Sequence, residues 1–159
     1  MKTKRMPIIK EEIEEKQIIV EWKDSFSIGI KKIDDQHKAL IHLINELYDG
    51  SFKREKTKEL FNKTLKKAYK YTDFHFKSEE KIFDKIKYNF SDEHKLQHKV
   101  FMAEILDRVC YIDAANQTLC RDFVKFLVGW VAEHIAIHDK KFGLECDRLV
   151  KEGKLIFIE

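Results

Sequence analysis

Four stretches of this chain repeat apolar residues at the period of an α-helix, and the links between them are only a few residues long. In the first, Leu40, Ile41, Ile44 and Leu47 follow the i, i+1, i+4, i+7 pattern of one helical face. Asp34 is a natural N-cap for it, and Gly50-Ser51 ends it. A second helix is predicted over residues 53–85, with Leu60, Phe61, Leu65, Ala68, Tyr71, Thr72, His75, Glu79, Ile82 and Phe83 along one side. The third opens with Ser91 at its N-cap and presents His94, Leu96, His98, Phe101, Ile105 and Val109. The fourth spans 116–150, with Leu119, Phe123, Leu127, Trp130, Val131 and His134, then Leu144 and Leu149. The links are 50–52, 86–90 and 113–115. Links that short force long helices to run antiparallel to their neighbours. The expected fold is therefore all-α, an up-down-up-down antiparallel four-helix bundle with an irregular N-terminal leader. Within that leader, 17–22 (QIIVEW) and 25–30 (SFSIGI) read as extended, and 10–16 as a short helix. The tail 153–159 (GKLIFIE) also reads as extended, packed on the bundle together with the leader.

Composition agrees. Five Gly and one Pro among 159 residues are too few for a turn-rich β fold, while 12 Phe, 5 Tyr and 2 Trp supply an ample core. A chain of this length needs no disulfide staples. The net charge of +3 comes from interleaved signs with no basic, aromatic-rich run, which argues against nucleic-acid binding. No run of 18 apolar residues exists, so no membrane span is expected. Glu11, Glu12, Glu14 and Glu15 argue against a targeting leader. Three cysteines, Cys110, Cys120 and Cys146, without C-x-x-C spacing, suit a reducing, cytoplasmic setting.

The histidines carry the chemistry. At least one falls on the apolar face of each helix, and two pairs, His94/His98 and His75/Glu79, are spaced i, i+4. At 100° per residue such partners leave the helix roughly 40° apart and about 6 Å along its axis, which is chelating geometry. Imidazoles with carboxylates suit iron, and also zinc, copper or nickel. No cysteine matches a ligand position, so a thiolate zinc or iron–sulfur site is not expected. The donors exceed what one tetrahedral zinc uses, and two metals sharing carboxylates fit the count better. The Glu-x-x-His signature of ferritin-like di-iron proteins is absent.

Four blocks in order resemble the hemerythrins, in particular the bacterial single-domain ones. They are Trp22-x-x-x-Phe26-Ser27-Ile28-Gly29-Ile30 leading into Ile33-Asp34-Asp35-Gln36-His37-Lys38-Ala39-Leu40, then Tyr71-x-x-x-His75-Phe76-x-x-Glu79-Glu80, His94-x-x-x-His98-x-x-Phe101, and Trp130-x-x-x-His134-Ile135-x-x-x-Asp139. The resemblance implies a domain over 22–150, an N-terminal extension over 1–21 and a tail over 151–159. It implies His37, His75, His94, His98 and His134 as terminal ligands of two iron ions. Glu79 and Asp139 are then the bridging carboxylates, beside an oxo or hydroxo bridge. One iron takes three histidines and the other two, leaving an open position for O₂. The implied function is reversible O₂ binding for storage, delivery or scavenging, without enzymatic activity. The alternatives are an O₂- or iron-responsive sensor or interaction module, and a di-iron peroxide or nitric oxide reductase. Leu40, Phe76, Trp130, Val131 and Ile135 are expected to line the O₂ pocket. Residues 1–21 and 151–159 could serve a homo-oligomer or a client protein.

Spacing and resemblance disagree in the fourth helix. His134 and His138, at i, i+4, share a face, whereas Asp139 at i+5 points roughly 140° away on a regular helix. The resemblance selects Asp139, which requires a local widening such as a one-residue π-bulge. His138 then becomes a surface or supporting residue, and His42, which matches no ligand, a structural or surface one.

Overall fold

The computed structural model describes residues 19–51, 57–111 and 116–156. Five helices follow a 3₁₀ turn at Asp24–Phe26: α1 (Lys31–Gly50), α2 (Thr57–Ile86), α3 (Ser91–Tyr111), α4 (Gln117–His134) and α5 (Lys140–Lys151). A π-helical turn, Ile135–Asp139, joins α4 to α5 without a break, so the bundle has four long rods. Its architecture is the antiparallel four-helix bundle that the periodicity implies. No strand occurs among the described residues.

Local chemistry sets the ends of the rods. Asn116 caps α4, its side chain accepting from the amides of Thr118 and Leu119. Lys87 ends α2 in the left-handed region at φ 52°, and the Tyr88 amide bonds back to the Phe83 carbonyl at 3.0 Å. The Phe83 and Tyr88 rings meet 5.3 Å apart, completing a Schellman-type stop with a lysine where glycine is usual. Two caps fall elsewhere than expected. α1 begins at Lys31, with Ile30 as its N-cap. Asp34 instead turns its carboxylate on the leader, accepting from Ser27 Oγ at 2.6 Å and the Ile28 amide at 2.9 Å. Ser91 is the first helical residue of α3, and the His94 amide bonds the Phe90 carbonyl.

The leader docks rather than pairs. Asn45 on α1 accepts from the amides of Ile19 and Val20 and donates to the Val20 carbonyl, supplying the hydrogen bonds a neighbouring strand would. Ser25 and Phe26 of the predicted extended piece fall in the 3₁₀ turn instead, and Gly29 turns the chain at φ 83° into α1. Ile28 lies so close to α5 that only a glycine fits at position 143: a Cβ there would press into the Ile28 carbonyl oxygen and lie 2.8 Å from its Cβ. The tail packs on the bundle through the buried Leu155, while Ile156 is exposed. The predicted 10–16 helix lies outside the described residues.

Two apolar clusters fill the interior. The larger includes Leu40, Ile44, Phe61, Phe76, Phe101, Phe123, Leu127 and Val131; the smaller is built around Ile33, Phe83, Tyr88 and Phe142. Three residues expected on inner faces, Leu96, Leu119 and Leu144, are exposed instead. On α3 this follows from position: Leu96 lies between His94 and His98, which own the inward stripe.

Candidate metal centre

Between the two clusters sits a polar interior that no unmetallated core would choose. Glu79 and Asp139 are wholly buried, and so are His37, His75, His94, His98 and His134 to within a few per cent. α1 contributes His37, α2 contributes His75 and Glu79, and α3 contributes His94 and His98. The fourth rod contributes His134 and Asp139. The π turn spanning Ile135–Asp139 is the widening that brings Asp139, five residues on, round to the face of His134.

Their donor atoms converge in two groups. His94, His98, His134, Glu79 and Asp139 form one; His37, His75, Glu79 and Asp139 form the other. Both carboxylates belong to both groups. Asp139 Oδ1 lies 3.0 Å from His94 Nε2 and 3.2 Å from His134 Nε2, while Oδ2 lies 3.3 Å from His37 Nε2. Glu79 Oε2 lies 3.3 Å from His98 Nε2, and Oε1 3.8 Å from His75 Nε2.

Hydrogen bonding alone does not explain this arrangement. All four carboxylate oxygens and both nitrogens of His37 lack a hydrogen-bond partner. The Nε2 atoms of His94 and His134 approach to 2.9 Å, and those of His98 and His134 to 3.2 Å. Lone pairs crowded in this way call for cations among them.

Electrostatics agree. Burial, with the His37 imidazole next in effect, pushes His75 down to about 3, and burial with His134 and His94 pushes His98 to about 2. Both rings are therefore neutral near pH 7, with lone pairs free for a metal. Burial, then the neighbouring Asp139 carboxylate, drives Glu79 well above the usual carboxylate range. Burial acts on Asp139 in the same direction, but the His134 imidazole, with the His37 and His94 nitrogens close to its oxygens, holds it well below the usual range.

Partners on the far side of the rings fix their aim. His75 Nδ1 meets Gln36 Oε1 at 3.1 Å; the Gln36 amide donates to Ser78 Oγ, which donates to the Phe74 carbonyl. His98 Nδ1 meets Glu80 Oε1 at 3.1 Å. An imidazole donating through Nδ1 presents the Nε2 lone pair inward. Sequence reading passed over both supporting residues. Each adjoins a cluster residue in the chain, and periodicity carries no signal for that.

The five expected pocket residues divide. Leu40 and Val131, with Ile44, Leu65, Thr72, Phe101 and Leu127, line a small apolar cavity of about 10 Å³. It lies one helical turn along from His37, His75 and His134. Phe76 stacks flat on His98 at 3.8 Å, and Trp130 on His134 at 4.3 Å and Phe101 at 3.6 Å. Ile135 is buried in the larger cluster. His138 stays outside both donor groups, half-buried, its ring 5.3 Å from that of His134. His42 is exposed and pairs with Glu46 at 3.3 Å.

The hemerythrin HHE cation binding domain matches residues 28–143. The chain belongs to the hemerythrin family. Bacteriohemerythrin of Clostridium acetobutylicum is 30% identical over 125 residues, covering 76% of this chain and 96% of that one. A hemerythrin-like protein of Naegleria gruberi is 30% identical over 121 residues, 76% of this chain and 88% of its own. A solved hemerythrin carrying a leucine-to-tyrosine substitution superposes with a TM-score of 0.69 at 25% identity, over 80% of this chain and 96% of that one. The hemerythrin HHE match runs from the leader strap at Ile28 to Gly143, the contact that seats the strap, and encloses all seven converging residues. That membership and the buried His/Glu/Asp cluster together fit a di-iron centre. Among the described residues, no helix is long and apolar enough to cross a membrane.

Proposed function

We propose that this chain is a non-haem di-iron protein that binds O₂ reversibly, as a binding protein rather than an enzyme. The observation that carries the reading is the pair of donor groups that share Glu79 and Asp139 and differ in histidine count. His94, His98 and His134 would hold one iron, His37 and His75 the other, with the two carboxylates and an oxo or hydroxo group between them. Two such irons, when bound, supply the redox chemistry that takes up and releases O₂.

The chain's own residues do the rest. Gln36 and Glu80 hold the His75 and His98 rings in the metal-facing tautomer. The two-histidine subsite has the smaller donor set, so the open position falls there. Leu40 and Val131 line the apolar cavity beside the centre, and Phe76, Ile135 and the partly buried Trp130 belong to the apolar cluster around it; together they would exclude the water that promotes oxidation. The functional unit is 22–150, with 1–21 and 151–159 as appendages available to a second copy or a client. Three free cysteines, one of them exposed, suit a cytoplasmic setting.

The test is the visible absorption spectrum of the iron-loaded protein through cycles of deoxygenation and air. A charge-transfer band that comes with O₂ and vanishes without it supports the reading. Immediate, irreversible oxidation would overturn it in favour of sensing or peroxide or nitric oxide reduction.

A further inference from the structure

Over residues 63–85 the outer face of α2 is single-signed; the exposed Glu59, roughly 60° from Phe74, lies one turn before it. Lys63, Lys67, Lys70, Lys77, Lys81 and Lys85 are all exposed and lie within roughly 60° of Phe74 on the helical wheel. They run about 33 Å along the helix at 1.5 Å per residue. Asp73, Glu80 and Asp84, the acids of this stretch outside the centre, lie roughly 80–120° round the helix. Several charges on other helices pair locally: Lys31 with Asp35, Arg148 with Glu145 and Glu152, and Lys151 with Asp147. On the α2 face, Lys77 pairs with Asp73 at 2.6 Å and Lys67 with Glu46 at 3.7 Å. Lys63, Lys70, Lys81 and Lys85 have no ion-pair partner among the described residues. Midway along the stripe Phe74 stands 53% exposed, its ring 5.8 Å from that of the half-buried Tyr71.

We propose that this face docks an acidic electron-carrier protein. An aromatic anchor ringed by like charges is the build of a steered protein interface: the charges guide the encounter and the aromatic supplies the buried contact. A membrane surface would need a broad apolar face, but the apolar face of α2 is committed to the core and Phe74 stands alone. Nucleic acid is disfavoured by a stripe with lysines only and one aromatic. Position supports an electron carrier. His75 follows Phe74 directly, about 100° round the same helix and buried, so a protein seated on Phe74 lies within about one helix diameter, 10–12 Å, of the centre. Each encounter would pass one electron from the carrier's reduced cofactor to the centre, with no atom changing hands. This second step rests on the di-iron reading; the docking does not.

The probe is a plant-type [2Fe–2S] ferredoxin, an acidic one-electron carrier, against the full chain and two variants, Lys70→Glu/Lys81→Glu and Phe74→Ala. Calorimetry with oxidised ferredoxin is expected to show binding in about 20 mM salt that is lost in about 500 mM salt. The double charge reversal should weaken it by about tenfold or more at low salt. Phe74→Ala should weaken it about tenfold with little change in salt dependence. Reduction of the iron-loaded protein by reduced ferredoxin should slow in both variants, while reduction by free reduced lumiflavin stays unchanged. Equal ferredoxin binding by wild type and variants overturns the proposal. So does lysine-dependent binding to vesicles of about 30% phosphatidylserine without ferredoxin binding. A chain that binds ferredoxin but loads no iron would sustain the docking face and sink the di-iron reading.

Discussion

Glu79→Gln should stabilise the metal-free protein while abolishing its centre. Glu79 is wholly buried, and neither oxygen has a hydrogen-bond partner. Its oxygens face the Nε2 atoms of His98 at 3.3 Å, His75 at 3.8 Å and His37 at 3.9 Å. Gln36 and Glu80 turn the lone pairs of His75 and His98 inward, so an ionised Glu79 presents acceptors to acceptors. Burial, then Asp139, raises its pKa well above the usual range, so above pH 4.5 the folded chain holds a proton the unfolded chain has released. That difference opposes folding at pH 7 and disappears as the pH falls toward 4.5. A glutamine has the same shape, does not titrate, and offers an N–H to those lone pairs. Relief of one buried, unmatched polar group is worth about 1–3 kcal/mol. For a chain this long, about 2–4 °C of melting temperature follows each kcal/mol, so the gain should be roughly 2–12 °C. The assay is thermal unfolding by circular dichroism, with chelator and then with anaerobic ferrous iron. With chelator at pH 7 the variant should melt above wild type. With iron, wild type should rise by mass action and the variant should not. A metal-free variant that melts at or below wild type at pH 7 would refute the reasoning.

Four further outcomes can be checked. His75 and His98, depressed to about 3 and about 2, bind protons below pH 6.5 only when unfolded, and Glu79 acts in the opposite sense above pH 4.5. The metal-free chain should therefore lose about 1 kcal/mol per pH unit from pH 6.5 to 4.5, and Glu79→Gln should steepen that slope in urea titrations. Gly143→Ala forces Ile28 off α5; overpacking at about 1–3 kcal/mol or more exceeds the roughly 1 kcal/mol a helical glycine gives back, so the urea midpoint should fall. Asp139→Ala should cut bound iron to one ion or none, whereas His138→Ala should keep two, as measured by iron quantitation. Leu40→Ala or Val131→Ala should speed oxidation of the oxygenated protein about tenfold or less with iron content intact, followed as decay of the visible band.

Much of the fold is written in the period of its apolar residues. Leu40, Ile44 and Leu47, or Phe123, Leu127 and Val131, lie on inner faces because 3.6-residue spacing leaves them nowhere else to go. Periodicity failed where polar residues own the inward stripe, as His94 and His98 do at the expense of Leu96. Ends were harder, because caps depend on tertiary partners: Asp34 serves the leader instead of α1, and a lysine stops α2. At the site, i, i+4 spacing pointed to His138, and only the motif pattern favoured Asp139 and the π turn that presents it. Supporting bonds were invisible. Gln36 on α1 reaches His75 on α2, and Asn45, between Ile44 and Glu46, carries no local signal of its bonds to the leader.

We propose that seven buried side chains hold two metal ions through two shared carboxylates. The most direct measurement is the iron content of this chain after anaerobic loading and desalting, with Glu79→Ala and Asp139→Ala measured alongside. Two irons per wild-type chain, falling to one or none in either variant, is the predicted result. Wild type holding fewer than two irons, or either variant keeping both, would contradict it.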